Sequence, residues 1–223
     1  MRLSHAIQDY LKTIYALGVE GRPVSTTAIA RRLGIAPASV TGMLQRMASM
    51  SPPLIHYRKR RGVTLTEEGE RIALETLRHH RLLETYLVVN LGYSWDAVHE
   101  EACRLEHVIS EDFERRIAEA LGNPERDPHG DPIPTPDLTM PQSDSCPLAS
   151  LQPPQRAVVR RVCNEEPPFL RHIARLGLKP GVRLEVLERS AFDHNLRLRL
   201  EGHEDELILG PAVTERIYVE VIS

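Results

Sequence analysis

Apolar residues at Ala6, Tyr10, Ile14 and Leu17 recur at helical spacing behind Ser4, a favourable N-cap, and predict an opening helix that Gly18 and Gly21 stop. Ser25 then caps a short helix, Thr26 to Leu33, broken by Gly34. Pro37 starts a second helix with an inward face of Val40, Leu44 and Met47, and Pro52-Pro53 closes it. Two short helices around a tight Gly-containing turn predict a helix-turn-helix. The β-like runs Leu54 to Tyr57 and Val63 to Leu65 flank Arg58-Lys59-Arg60-Arg61-Gly62 and predict a two-stranded wing with a basic tip.

Farther on, Thr66 followed by Glu67 and Glu68 caps a long helix to about Asn90, and Ser94 and Ser110 cap two more, ending near His107 and at Gly122. Nine of the 17 prolines lie between Pro124 and Pro154, where apolar periodicity fades; this predicts a linker, within which Pro128-His129-Gly130-Asp131-Pro132 has the makings of an ordered loop. Short strands follow at Ala157 to Val162, Val182 to Leu187, Leu196 to Leu200, Leu207 to Ile208 and Ile217 to Val221, with one helix at Phe169 to Leu176, the pattern of a small barrel. The expected organisation is a winged helix-turn-helix domain over 1–71, a helical domain over 72–140, a Pro-rich linker over 141–154 and a small β-barrel over 155–223.

Composition narrows the classes. A chain with 41% apolar and 26% charged residues is globular, and it contains no apolar run long enough for a signal peptide or a membrane span, so a cytoplasmic protein is expected. Cys103, Cys146 and Cys163 are odd in number and widely spaced, unlike a disulfide framework. The net charge of -3 conceals a division: residues 1–71 carry 11 Lys/Arg against 5 Asp/Glu, whereas residues 72–140 carry 6 against 14. A basic head suits a polyanion. An acidic middle that also holds His79, His80, His99, His107 and His129 suits a cation.

The second helix of a helix-turn-helix presents its N-terminal residues to the major groove, here Pro37, Ala38, Ser39, Thr41 and Gln45. Small side chains permit close approach, Ser39 and Thr41 can bond phosphates or bases, and Gln45 can pair with adenine. Arg46, Arg58, Lys59, Arg60 and Arg61 are expected to neutralise phosphates. For the cation, His80 and Glu84 share one face of the long helix, and His99, Cys103 and His107 form an i, i+4 row on the next, with Glu106 beside it. Imidazole, carboxylate and thiolate suit a divalent first-row transition ion.

Asp9 to Pro134 resembles the diphtheria toxin repressor family of iron- and manganese-dependent transcription regulators. The resemblance rests on Tyr10-Leu11-x-x-Ile14-Tyr15, Ser39-Val40-Thr41, Leu65-Thr66-x-x-Gly69, His80-Arg81-x-x-Glu84, His99-x-Glu101-Ala102-Cys103-x-x-Glu106-His107 and Gly130-Asp131-Pro132-Ile133-Pro134. It implies that 72–140 is the metal-binding and dimerisation domain and 155–223 an SH3-like domain, with two metal sites per subunit, an activating one at Asp9, Cys103, Glu106 and His107 and an ancillary one at His80, Glu84 and His99. It further implies an anion beside Arg81 and an acidic ancillary ligand from the SH3-like domain, Glu165 or Glu166, with His172 a weaker candidate. Iron-type members carry a Met where this chain has Asp9, and manganese-type members carry Asp there with Glu in place of Cys103. The mixture favours Mn(II), with Fe(II) as the alternative. Lys12 falls where short manganese-type regulators carry a bridging glutamate, and an ammonium cannot ligate.

The expected function is a homodimeric, metal-activated regulator, a repressor by family habit, bound to an inverted repeat in double-stranded DNA. Two other classes compete. Cys103-x-x-Glu106-His107 is one residue from the zinc-peptidase pattern H-x-x-E-H, which would make a metallohydrolase. A winged helix sensing an organic ligand would leave the His/Glu cluster incidental.

Overall fold

The computed structural model describes residues 3–18, 22–163 and 166–222, so Gly21 and Glu165 lie outside the described residues. The chain divides into two compact units: Met1–His80 with Glu106–Ile109 and Pro134–Met140, and Arg81–Leu105 with Ser110–Ile133 and Pro141–Ser223. No helix among the described residues is long and apolar enough to cross a membrane.

In the first unit, α1 (His5–Leu17) buries Ile7, Tyr10, Leu11 and Ile14, while Ala6 is exposed and Leu17 only half-buried. A 3.6-residue period lets two adjacent stripes satisfy the same spacing, and the bulkier one packs. Ser4 sits at the N-cap, where its backbone carbonyl rather than its hydroxyl receives the first amides. Helix α2 (Thr26–Leu33) is capped by Ser25 Oγ, which accepts from the Ala28 amide at 3.1 Å, and Gly34 ends it with φ +66°. Helix α3 (Pro37–Ala48) buries Val40, Leu44 and Met47 as expected, but it stops at Ala48, short of Pro52. Strands β1 (Ile55–Arg58) and β2 (Gly62–Leu65) pair antiparallel from Ile55↔Leu65 to Arg58↔Gly62. Val24 adds a bridge to Val63 that no periodicity announced.

Helix α4 (Glu67–Leu91) starts at Thr66, whose Oγ accepts from the Gly69 amide at 3.2 Å and donates to the Pro53 carbonyl at 2.8 Å. One side chain thus caps α4 and ties it to the segment entering the wing. Gly69 is needed there because a Cβ would lie 1.9 Å from the Leu54 carbonyl oxygen. That contact accounts for the glycine in the Leu65-Thr66-x-x-Gly69 motif.

In the second unit, α5 (Val98–Leu105) begins four residues after Ser94, whose backbone carbonyl accepts from the Ala97 and Val98 amides, and ends at Leu105 rather than near His107. Helix α6 (Glu111–Ala120) is capped by Ser110. A six-stranded antiparallel sheet in the order β3-β8-β4-β5-β6-β7 comprises β3 (Cys146–Pro147), β4 (Arg156–Val162), β5 (Arg183–Arg189), β6 (Leu196–Leu200), β7 (Glu206–Leu209) and β8 (Ile217–Ile222). Leu196, Leu198 and Leu200 face inward while Arg197 and Arg199 face out, the two-residue period of a strand with one wet face. Helices α7 (Pro167–Arg175), which buries Leu170 and Ile173, and α8 (Pro211–Thr214) complete this SH3-like part. The linker expected over 141–154 is drawn into it: Cys146–Pro147 pairs with β8, and Leu148 and Leu151 enter the core.

Gly69→Ala is expected to destabilise the first unit by about 1–3 kcal/mol, the usual cost of forcing a methyl into a packed interior. Urea denaturation of both proteins measures it, and an unchanged midpoint would mean that the backbone yields freely at Leu54.

Candidate functional site

The helix-turn-helix and wing bury their apolar side chains in one core, and this leaves a polar face outside. Pro37, Ala38, Ser39, Gln45 and Arg46 are exposed on α3. Thr41 is half-buried, with its hydroxyl donating to the Pro37 carbonyl at 3.1 Å. Gly42, which sequence reasoning passed over, lies on the same face with open space where a Cβ would be, so the backbone itself is approachable. Its signal was present as a glycine three residues after Ser39. In the wing, the Arg61 amide bonds to the Arg58 carbonyl at 2.9 Å and Arg60 adopts φ +68°; this tight turn holds Arg58, Lys59, Arg60 and Arg61 exposed at the tip.

A first donor cluster joins α1 to the turn that follows α5. His107 lies past the helix end, so it leaves the expected row with His99 and Cys103 and turns its Nε2 to Asp9 Oδ1 at 3.0 Å and Glu106 Oε1 at 3.4 Å. Its Nδ1 donates to Gln8 Oε1 at 2.9 Å, which leaves the Nε2 lone pair facing two carboxylates. Only a proton or a cation relieves such a meeting of lone pairs. Glu106 has no exposed side-chain surface; Lys12 Nζ lies 2.5 Å from its Oε1 and His80 Nδ1 2.5 Å from its Oε2. Burial by itself raises the Glu106 carboxyl, but His80 and Lys12 outweigh it and hold the group below the usual carboxylate range. Asp9, Glu106 and His107 each place a ligand atom within 4.8 Å of the others.

A second cluster, wholly buried, lies in the other unit: Glu84 from α4 with Asp127 and His129 from the Pro-rich stretch. His129 Nε2 donates to the Trp95 carbonyl at 2.6 Å, so Nδ1 faces Glu84 Oε2 at 3.5 Å. His99 Nδ1 lies 3.1 Å from the other Glu84 oxygen, and Cys103 Sγ lies 3.6 Å from His99 Nε2. Burial, together with the charges of Asp131 and Glu84, pushes Asp127 up to about 7. Burial lowers His129, yet Glu84 and Asp127 prevail and raise it to about 9. Both shifts express excess negative charge in an enclosed space. Arg81, expected beside an anion, has carboxylates of this loop for partners, Asp127 at 3.8 Å and Asp131 at 3.6 Å.

Local geometry builds the loop. Asp127 Oδ1 accepts from the amides of His129 at 2.8 Å and Asp131 at 2.9 Å, and the Val162 amide bonds to the His129 carbonyl at 2.9 Å. Gly130 has φ +88°, and a Cβ there would lie 1.8 Å from the Arg160 carbonyl oxygen, so only glycine lets the loop press onto β4. Sequence reasoning flagged this loop as ordered and counted His129 among the histidines suited to a cation, but it assigned neither Asp127 nor His129 to a site; an Asp and a His two residues apart between prolines were the available signal. Glu166 is exposed at the N-cap of α7, and His172 is exposed on that helix.

Both donor sets fit a divalent first-row ion, because each pairs carboxylate oxygens with an imidazole nitrogen.

Comparison with known proteins agrees with this anatomy. Residues 2–63 match the iron dependent repressor, N-terminal DNA binding domain; residues 66–135 match the iron dependent repressor, metal binding and dimerisation domain; and residues 146–221 match the FeoA domain. The iron-dependent repressor IdeR of Mycobacterium leprae is 35% identical over 208 residues, covering 88% of this chain and 89% of that protein. IdeR of Mycobacterium tuberculosis (strain ATCC 25618 / H37Rv) is 43% identical over 125 residues, 56% of this chain, and the match spans 54% of the relative's length. A solved manganese-dependent transcriptional repressor in complex with manganese superposes with a TM-score of 0.89 at 36% identity, covering 97% of this chain and all of that one. The chain therefore belongs to the iron-dependent repressor family, that of the diphtheria toxin repressor.

Proposed function

We propose that this chain is a homodimeric, metal-activated DNA-binding repressor that takes Mn(II) in preference to Fe(II), at two sites per subunit, and reads an inverted repeat. The observation that carries the reading is Asp9. It stands on α1, whose Ile7, Tyr10, Leu11 and Ile14 share a core with Val40, Leu44 and Met47 of the reading helix, and it meets His107 at 3.0 Å. Whatever holds Asp9 to Glu106 and His107 therefore also holds α3. A bound divalent ion supplies positive charge and directional bonds to lone pairs. Asp9 and Glu106 offer it hard oxygens, and His107, whose Nδ1 is bonded to Gln8 Oε1, offers Nε2. Oxygen donors favour Mn(II), which loses to its heavier neighbours on intrinsic affinity; the imidazole of His107 keeps Fe(II) as the alternative. Relatives are named for both metals.

For the second site, Glu84 with Asp127, His129 and His99 is the donor set that the buried charge supports. His80, grouped by sequence with Glu84 and His99, turns its Nδ1 to Glu106, so its proposed role is to orient an activating-site ligand. On the nucleic-acid side, Ser39, Gly42 and Gln45 approach base edges while Arg46 and the wing residues Arg58, Lys59, Arg60 and Arg61 neutralise phosphates. The family is one of repressors, which removes the ground for a hydrolase.

Gel shifts over a Mn(II) series test the reading. His107→Ala is expected to abolish metal-dependent DNA binding. His80→Ala should raise the Mn(II) requirement by about 10–100-fold, as expected for loss of a residue that orients a ligand, with binding restored at saturation. Chelator-insensitive binding by the wild type would sink the proposal outright.

Asp9→Met should move selectivity from Mn(II) towards Fe(II) and Co(II), because it replaces a hard oxygen by a thioether. Calorimetric titration of both proteins with each metal, under anaerobic conditions, measures the ratio; no change would remove Asp9 from the ligand set.

With on the order of ten phosphates contacted, operator affinity should fall by about 10³–10⁵ between 50 and 200 mM salt. A flat response would show that the basic wing stays off the DNA.

A further inference from the structure

Both oxygens of the enclosed Glu106 carboxylate are already engaged, Oε1 by Lys12 Nζ and Oε2 by His80 Nδ1, each at 2.5 Å. Oε1 is also the oxygen that faces His107 Nε2, 3.4 Å away, and hence the one that a cation shared with Asp9 and His107 would meet. Lys12 stands three residues after Asp9 on α1, and its side chain keeps 18% of its surface exposed.

We propose that Lys12 is a resident counter-cation of the Asp9–Glu106–His107 cluster, holding Glu106 in the metal-free protein and leaving Oε1 when a divalent ion enters. The inference rests on the reading of that cluster as a metal site. An enclosed carboxylate cannot remain without a cation at acceptable cost. Nor can an ammonium and a divalent ion share one oxygen, since they repel at contact distance. A lysine suits the exchange: its charge is compact and sits on a flexible four-carbon stem, and the exposed part of the side chain gives it a way out to water. An arginine fork would grip the carboxylate by two bonds and release it less readily. Metal uptake is then an exchange of cations, and the affinity measured is the intrinsic one reduced by the fraction of molecules in which Lys12 holds Glu106. Lys12 thereby raises the concentration at which the cluster fills.

The test is titration of the intact protein with Mn(II) in competition with a chromogenic chelator. Lys12→Met, close in shape but uncharged, should bind Mn(II) at least about tenfold more tightly than wild type, while its metal-free form melts at a lower temperature. Lys12→Arg should bind no more tightly than wild type. A lysine that merely supported the fold would give the opposite result, weaker metal binding by Lys12→Met, and equal or weaker binding overturns the inference. Should that variant not fold, acetylation of Lys12 in the wild-type protein by an N-hydroxysuccinimide ester, followed by mass spectrometry, decides: the rate should rise on adding Mn(II), and an unchanged or slower rate rejects the exchange. His107→Ala separates the two levels of the argument. If wild type takes up no Mn(II) that His107→Ala loses, the metal reading fails and the inference falls with it; if it does, the Lys12 results bear on the counter-cation alone.

Discussion

A carboxylate with no surface in contact with water has to be answered by positive charge, and Glu106 imposes that demand on the first unit. Lys12 comes to it from α1 and His80 from α4, while the His79 ring bonds the Glu106 backbone carbonyl at 3.0 Å. Two stretches remote in sequence thus converge on one residue of a third. Breaking such a pair from one side costs about 3–5 kcal/mol, a large part of the ~5–15 kcal/mol by which a domain is stable at all. Because α1 belongs to the same core as α3, the charge on Glu106 and the placing of α3 are not independent.

The second unit meets a similar demand with a different device. Glu84, Asp127 and Asp131 bring three carboxylates together, answered by His99, His129 and Arg81. The response is incomplete, as the raised Asp127 shows: an enclosed carboxyl surrounded by its own kind takes up a proton when no other cation is at hand. The loop that carries Asp127 and His129 has no regular secondary structure, yet it is rigidly specified by the two amides on Asp127 Oδ1 and by Gly130 pressed against Arg160. Its rigidity lets an irregular segment present donors as reliably as a helix does.

Much of this was legible in the residues. Helices α2, α3, α4 and α6, the wing and the strands of the SH3-like part all follow from period, caps and turn residues, which act within a few positions of one another. Asp9, Glu106 and His107 were nameable through motif resemblance, and the fold brings their ligand atoms within 4.8 Å of one another, whereas Cys103, named with them, lies against His99 instead. Where the reading slipped, two local rules were equally satisfied or none applied. Ala6 and Ile7 both fit a helical stripe, and Ser94 caps as well on paper as Ser110. The pair Cys146–Pro147 is too short to show a period before β8 gives it a partner.

Sequence alone determined which residue types were available: a basic head, an acidic middle rich in histidine, and small residues at the start of α3. Only tertiary structure decided which of them meet. His107 leaves the row with Cys103 because α5 ends at Leu105, His80 serves Glu106, and Asp127 and His129 come from a stretch that reads as linker. The physical reason is that charge compensation in an enclosed space depends on distance through the fold rather than along the chain: Lys12 and Glu106, 94 residues apart, are 2.5 Å apart in space.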